Sequence, residues 1–461
     1  MKKNWFVRIG FLIVALAISL AGIIAFVTYE PRTSIAKATK TVQVDGQDVK
    51  VEVYGRNTGD QTDHPVFAVC ELVNKSINFK LAHPEEDVYI DYAIYRMETD
   101  TACYYNPKSR KYGKTTIMSK PYKKDCETVA YSFVKAAKNG IRVRLIYHRD
   151  KDLNASTTYD WFQTFMNEKC FFDETKRVAD FLNVRKAQWN LNESMSNQMH
   201  SKQLLVSDYV DWDGTEHHNA VNSMTSNVDS YLPSNRPIKK KDWTHSGFTI
   251  SGHDKVFEAN QRYFDITFAN WKNRFAFVED VLNAHKTNSL NYADDYFECY
   301  FTPIPQNYMD GYDVDNNPFA KYIEKLNDSQ GQIKCYMNMY SLSAHALTNK
   351  MCRRLNDAFK NNQTKGNDCG FIIKKDIVPA DAEYQNLKEI GYLSVGAKTH
   401  SKDIMFYYGD TDEYVVITGS TNLGYSGWFS KSNHSIVFKE KGENHEIYDA
   451  FYKTYLGADV K

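Results

Sequence analysis

The chain has 461 residues, enough for two domains of ordinary size, and 42% hydrophobic residues with 14% aromatics supply a large core. Lysine plus arginine equals aspartate plus glutamate at 57 each. That balance excludes any general attraction to nucleic acid or to an anionic membrane and leaves only a local basic mouth open.

The chain starts with Lys2, Lys3 and Arg8, then runs without a charge from Ile9 to Val27. An uncharged run of this length approaches the ~20 residues that cross a bilayer as a helix. Its end, Ala25-Phe26-Val27-Thr28-Tyr29, is a poor cleavage site. Residues 1–28 are therefore expected to be an uncleaved membrane anchor, with the N-terminus cytoplasmic and the rest exported, outside the cytoplasm or into a lumen. A polar stalk over 29–45 follows.

A first lobe is expected over 46–280, beginning with short strands and turns. Val88–Ile94 reads as a buried strand, Cys126–Asn139 as a helix stopped by Gly140, and Ile141–Tyr147 as the next strand. This β-α-β order implies a parallel pair. Helices over Asp160–Asn167 and Thr175–Phe181 precede a strand over Gln203–Val206. A second lobe over 281–461 repeats the plan: strand Tyr296–Phe301, helix Pro318–Leu326, strand Ile333–Tyr340, helix His345–Phe359, then strands Gly370–Ile373, Ile404–Tyr407 and Tyr414–Thr418. All eight cysteines lie beyond the anchor, an even number suited to disulfides in an oxidising compartment, and no Cys-x-x-Cys pair points to zinc.

The strongest signal is an internal repeat. His200-Ser201-Lys202 returns as His400-Ser401-Lys402, and each copy leads to a hydroxyl-plus-asparagine element, Thr225-Ser226-Asn227 and Ser420-Thr421-Asn422. Thr244-His245-Ser246 and Asn433-His434-Ser435 then precede the apolar runs Phe248-Thr249-Ile250 and Ile436-Val437-Phe438. Two imidazoles, two ammonium groups and two carboxamides suit phosphoryl transfer. One neutral imidazole attacks phosphorus, a second protonates the leaving alkoxide, and Lys202, Lys402, Asn227 and Asn422 hold the non-bridging oxygens. This scheme needs no metal and no cofactor. Lysine stands two residues after histidine, so on an extended strand both side chains leave by one face and share a phosphate.

This pattern resembles the phospholipase D superfamily, whose mark is a doubled His-x-Lys followed by Gly-Ser-x-Asn. Thr418-Gly419-Ser420-Thr421-Asn422-Leu423 fits that element closely; Met224-Thr225-Ser226-Asn227 is a copy without the glycine. The resemblance implies an α/β fold of two similar α/β/α sandwich lobes related by a pseudo-two-fold axis, with the site in the cleft between them. It also places the nucleophile on His200 and the general acid on His400.

The chain departs from the family in three places. The aspartate usual five residues after the lysine is replaced by Ser207 and Tyr407, with Asp208 one place late and Tyr408 opposite it. The carboxylates that orient the histidines are replaced by His245 and His434, or by the adjacent Ser246 and Ser435. Thr225 stands for the usual serine. His245, His434, Thr225, Ser420 and Asp208 are thus expected as supporting residues, His245 and His434 by orienting the reactive rings.

Weaker motifs carry less. His217-His218 reads as a solvated turn, Asp313-x-Asp315-x-Asn317 lacks the later ligands of a calcium loop, and Lys239-Lys240-Lys241 reads as a solvated charge run. No metal site is expected. The chain thus reads as a membrane-anchored phosphodiesterase, with phospholipid as the first substrate and the membrane as partner. A nuclease of the same superfamily, cutting DNA or RNA, is the alternative, and an inactive scaffold of the same fold is the second.

Overall fold

The computed structural model describes residues 36–56, 65–99, 102–103, 127–150, 157–189, 197–228, 244–305, 320–341, 368–374, 393–397, 399–423 and 425–457. The expected anchor, the helix His345–Phe359, Lys239–Lys241 and Asp313–Asn317 lie outside them. Among the described residues no helix is long and apolar enough to cross a membrane.

Val88 to Ile94 is apolar on both faces of an extended chain, the pattern of a strand covered on two sides. It forms β3 (Tyr89–Arg96), the first strand of a parallel trio in which β6 (Arg142–Arg149) lies between it and β7 (Leu182–Lys186). The crossover from β3 to β6 uses helix α2 (Val129–Lys138), which Thr128 caps by accepting the Tyr131 N–H at 3.0 Å. Gly140 ends it at φ +84°, in the left-handed region, where a Cβ would also press on the Phe172 ring.

Antiparallel strands β1 (Ala38–Val44), β2 (Gln47–Arg56), β8 (Lys202–Val210), β9 (Glu216–Met224) and β10 (His245–Ser251) complete the first sheet, in the order β1-β2-β10-β9-β8-β3-β6-β7. The pair β4 (Ala102–Cys103) and β5 (Glu127–Thr128) forms a separate ribbon. The second sheet contains β11 (Tyr292–Ala293), β12 (Phe297–Thr302), β13 (Ile333–Met339), β14 (Asp368–Lys374), β15 (Leu393–Ala397), β16 (Lys402–Tyr408), β17 (Glu413–Gly419) and β18 (Asn433–Lys441), in the order β11-β12-β18-β17-β16-β13-β14-β15. Strand for strand the orders match, and so do the parallel and antiparallel senses. The repeat read from the motifs is a repeat of whole topology.

Helix α1 (Val66–Ala82) and α2 cover the outer face of the first sheet, where Phe67, Val73 and Phe133 pack on Ile90, Tyr92 and Leu145. Its inner face shares one core with the second sheet. There Val51, Phe248 and Leu205 meet Phe301, Met405 and Ile436, together with Phe264 of α4 (Asp254–Ala269) and Phe451 of the C-terminal helix (Glu446–Leu456). Each fully buried side chain of this kind contributes roughly 1.5–3 kcal/mol. A core drawn from both copies therefore ties the lobes into one folding unit.

The structure corrects five expectations. The sheet begins at Ala38, inside the expected stalk, because Val42 and Val44 are buried on β1. Thr175–Phe181 is not a helix but a turn with three residues of 3-10 helix, Val178–Asp180, since the Asp173 and Asp180 side chains accept the Thr175 and Arg177 N–H groups. His217 and His218 lie within β9 rather than in a solvated turn, paired with Asp211 at 2.9 Å and Asp208 at 2.6 Å. Asp208 is therefore engaged at the far end of β8 and does not support the site. Finally, Cys170, Cys299, Cys335 and Cys369 are buried thiols outside any disulfide, so these four do not join the expected ones.

Candidate active site

His200 and His400 stand two residues before β8 and β16, where each segment enters its sheet beside the other lobe. The His200 N–H donates to Ser432 O at 2.8 Å and the His400 N–H to Thr244 O at 2.9 Å. Bridges Met199↔Ser432 and Thr244↔Thr399 extend the two crossings. Each histidine is thus fixed by the strand entry of the opposite lobe.

The imidazoles follow the same reciprocity. His200 Nδ1 lies 3.0 Å from Ser420 O, and His400 Nδ1 lies 2.7 Å from Thr225 O. A carbonyl oxygen only accepts, so Nδ1 carries the proton and Nε2 is left with its lone pair. Burial, with the charges of Lys202, Lys431 and Lys402, holds His200 well below the usual histidine range. His400 is lowered likewise by burial and then by Lys402, His245, Lys202 and His200. Both rings are neutral at neutral pH before an anion enters.

Lys202 and Lys402 bend back, Nζ donating to the carbonyl of the histidine two residues earlier at 2.8 and 2.7 Å. Burial pushes the Lys402 ammonium down to about 7, with Lys431 adding to the effect against Asp403. The carboxamide oxygens of Asn227 and Asn422 are buried without a hydrogen-bond partner among the described residues. A buried acceptor of that kind costs ~1–3 kcal/mol until a donor reaches it, and the Nδ2 groups are the atoms that can meet a phosphate oxygen.

Register decides which residues stand beside the two imidazoles. Thr225 N donates to Ser246 O and Ser420 N to His434 O, both at 2.9 Å, so His434 matches Ser246 and Asn433 matches His245. The sequence-based alignment of His434 with His245 is one residue out. Asn433, absent from the expected set, holds His200: its Oδ1 accepts from Nδ1 at 2.8 Å while its Nδ2 donates to Gly427 O at 2.7 Å. His245 occupies the same place beside His400, with ring centroids 5.3 Å apart. His434 touches neither reactive ring. Its Nε2 meets Ser223 Oγ of the other lobe at 2.8 Å, and burial pushes its pKa down to about 3.

Sequence reasoning also missed Tyr95 and Tyr340. They follow Ile94 and Met339, the Cα partners of Lys202 and Lys402, and so are structural twins. The Tyr95 ring lies 5.0 Å from His200 and the Tyr340 ring 4.7 Å from His400, each with its lysine Nζ 5.4 Å away. A repeated Tyr at the end of each first parallel strand was the available signal. Asp403, next to Lys402, accepts from Ser246 Oγ and Thr418 Oγ1 at 2.6 Å, and burial raises it to about 6. Its counterpart is Gln203, so the two half-sites are not identical.

No family model and no curated protein matches the chain. Among solved structures, phosphatidylserine synthase of Haemophilus influenzae is similar at a TM-score of 0.51 and 9% identity, over 92% of this chain and 89% of that one. Polyphosphate kinase of Porphyromonas gingivalis follows at 0.45 and 11%, over 87% of this chain and 50% of the other, so the chain spans about half its length. Nuc of Salmonella typhimurium, a phospholipase D family member, is matched at 0.25 and 15%, over 36% and 97%. The fold is shared with that phosphatidylserine synthase.

Proposed function

We propose that the chain is a phosphodiesterase working through a phosphohistidine, and that its first substrate is a phospholipid. The observation that carries this reading is the reciprocal seating of the imidazoles, each with Nδ1 on a carbonyl of the other lobe and Nε2 directed away from that bond. In the reaction, Nε2 of one ring forms a bond to phosphorus as the P–O bond to the leaving group breaks. The other ring takes a proton from solvent onto Nε2 as the anionic substrate enters and gives it to the departing alkoxide; water or an alcohol then displaces the histidine while that ring takes the proton back. Lys202, Lys402, Asn227 and Asn422 hold the non-bridging oxygens.

We assign the nucleophile to His200 because Asn433 gives it a second acceptor at 2.8 Å and fixes its ring more fully. By the same reading, residues 1–28 anchor the enzyme and keep the site beside a bilayer on the exported side. The test is turnover of fluorescent phosphatidylcholine against single-stranded DNA by the full chain. Release of headgroup supports the lipid reading, cleavage of DNA alone replaces it with a nuclease, and neither, with substrate bound, makes the protein a scaffold.

A further inference from the structure

Lys431 is the residue before Ser432, whose carbonyl receives the His200 N–H and whose backbone bridges Met199. The Met199 N–H in turn approaches His148 Nδ1 at 3.4 Å. His148 stacks on Tyr95 with ring centroids 5.8 Å apart, and the other neighbour of that tyrosine is His200. Arg149 Nη1 donates to the Tyr95 hydroxyl at 3.4 Å. Tyr95, His148 and Arg149 stand at the carboxyl ends of parallel strands β3 and β6, the end at which open α/β sheets bind ligands.

The charges here are unusual for this protein. Lys186, Arg144 and Arg96 have Asp150, Asp91 and Glu98 as carboxylate partners. Neither Lys431 nor Arg149 has one among the described residues. Yet Lys431 is only 7% exposed, and Arg149 Nε is buried without a hydrogen-bond acceptor. A buried cation without a partner costs several kcal/mol, which an entering anion offsets. The positive charges of Lys186, Arg149 and Lys431, added to burial, keep His148 at about 4.

His148 is also single where the catalytic set is double. In the second sheet β14 carries Lys374 where β6 has His148. Groups that serve the scissile phosphate come in twins. His148, which has no twin on the His400 side, belongs with a different anion.

We propose that His148, Arg149 and Lys431 form a second anion subsite beside His200 that takes a further phosphate group of the substrate. Resting on the phosphodiesterase reading above, this makes the favoured substrates phosphodiesters that carry another phosphate close to the scissile one.

The test is calorimetric binding of inorganic phosphate and of tripolyphosphate to the full-length protein at constant pH. Lys431→Gln and Arg149→Gln should each weaken tripolyphosphate about tenfold and phosphate less than threefold, and Lys431→Arg should restore most of the loss. Equal losses for both probes would merge these residues with the main site, and unchanged tripolyphosphate binding would remove the subsite; either overturns the proposal. Melting curves identify a variant that has not folded, in which case the Lys431→Arg comparison decides.

Competition by thymidine 3′,5′-bisphosphate identifies a nucleotide source of the second phosphate. Competition by vesicles of phosphatidylinositol 4-phosphate, against phosphatidylcholine vesicles, identifies a lipid one. Wild-type protein that prefers tripolyphosphate tenfold but turns over no phosphodiester would sink the enzymatic reading and keep the subsite. Protein that hydrolyses diesters yet binds both probes equally would sink the subsite alone.

Discussion

His400 Nδ1 lies 2.7 Å from the carbonyl oxygen of Thr225, a residue of the other lobe. Because that oxygen only accepts, the backbone of lobe one sets the tautomer of the ring in lobe two, and Ser420 O does the same for His200. The proton arrangement the chemistry requires thus exists only when the lobes are assembled. Backbone carbonyls, Asn433 and His245 are what surround the two rings.

The two rings should act as one unit. His200→Ala and His400→Ala should each lower turnover by about a hundredfold or more. The double variant should lose little beyond either single one, since both rings serve one reaction. Steady-state rates of the three variants, with trapping of the labelled phosphoenzyme, measure this; trapping in His200→Ala but not in His400→Ala would reverse the assignment of nucleophile and acid.

The pairing of the two His-x-Lys segments was legible in the chain, because the repeat of motifs is also a repeat of strand order. What stayed hidden was register. One residue of slip turns a strand over, and only the pairing of Ser420 with His434 shows that Asn433, not His434, faces His200. Asp208 misled for a related reason: its place in sequence suggested a displaced family acid, whereas the pairing of β8 with β9 sets it against His218. Helix α1, with buried residues around most of its circumference, shows no clear helical stripe and was missed.

Asn433 offers a test of how His200 is tuned. Asn433→Ala removes one acceptor and should lower turnover about tenfold through a looser ring, with KM little changed. Asn433→Asp places a carboxylate at the same position, which favours the imidazolium and raises the His200 pKa. The nucleophile is then protonated at a higher pH, so the acid limb of kcat/KM should move up by a unit or more. An unmoved limb would mean that Asn433 is merely structural.

Anion binding should weaken on the alkaline side of neutrality. Lys402 is pushed down to about 7 and Lys431 to about 8, both by burial. Above those values the ammonium groups lose their charge and their hold on an oxyanion. Sulfate, whose own charge is constant in this range, should inhibit progressively less well from pH 7 to 9. Lys402→Arg, which stays charged, should shift that limb upward; identical limbs in wild type and variant would remove Lys402 from the response.

The last prediction concerns acid stability and the seam between the lobes. His434 is fully buried with Nε2 on Ser223 Oγ, and burial holds it at about 3; His148 is held at about 4. Both folded values lie below the unfolded value near 6.5, so between the two the unfolded chain binds protons that the native chain refuses. Their contribution is therefore present above pH 6.5 and is lost as pH falls toward 3 to 4. Wild-type protein should lose stability to urea steadily over that window. His434→Gln keeps a donor for Ser223 but cannot be protonated. It should cost stability at pH 7 through imperfect packing, yet show a flatter decline toward acid, so that the two stability curves converge. Parallel curves from pH 7 to 4 would show that His434 is not what opens the seam.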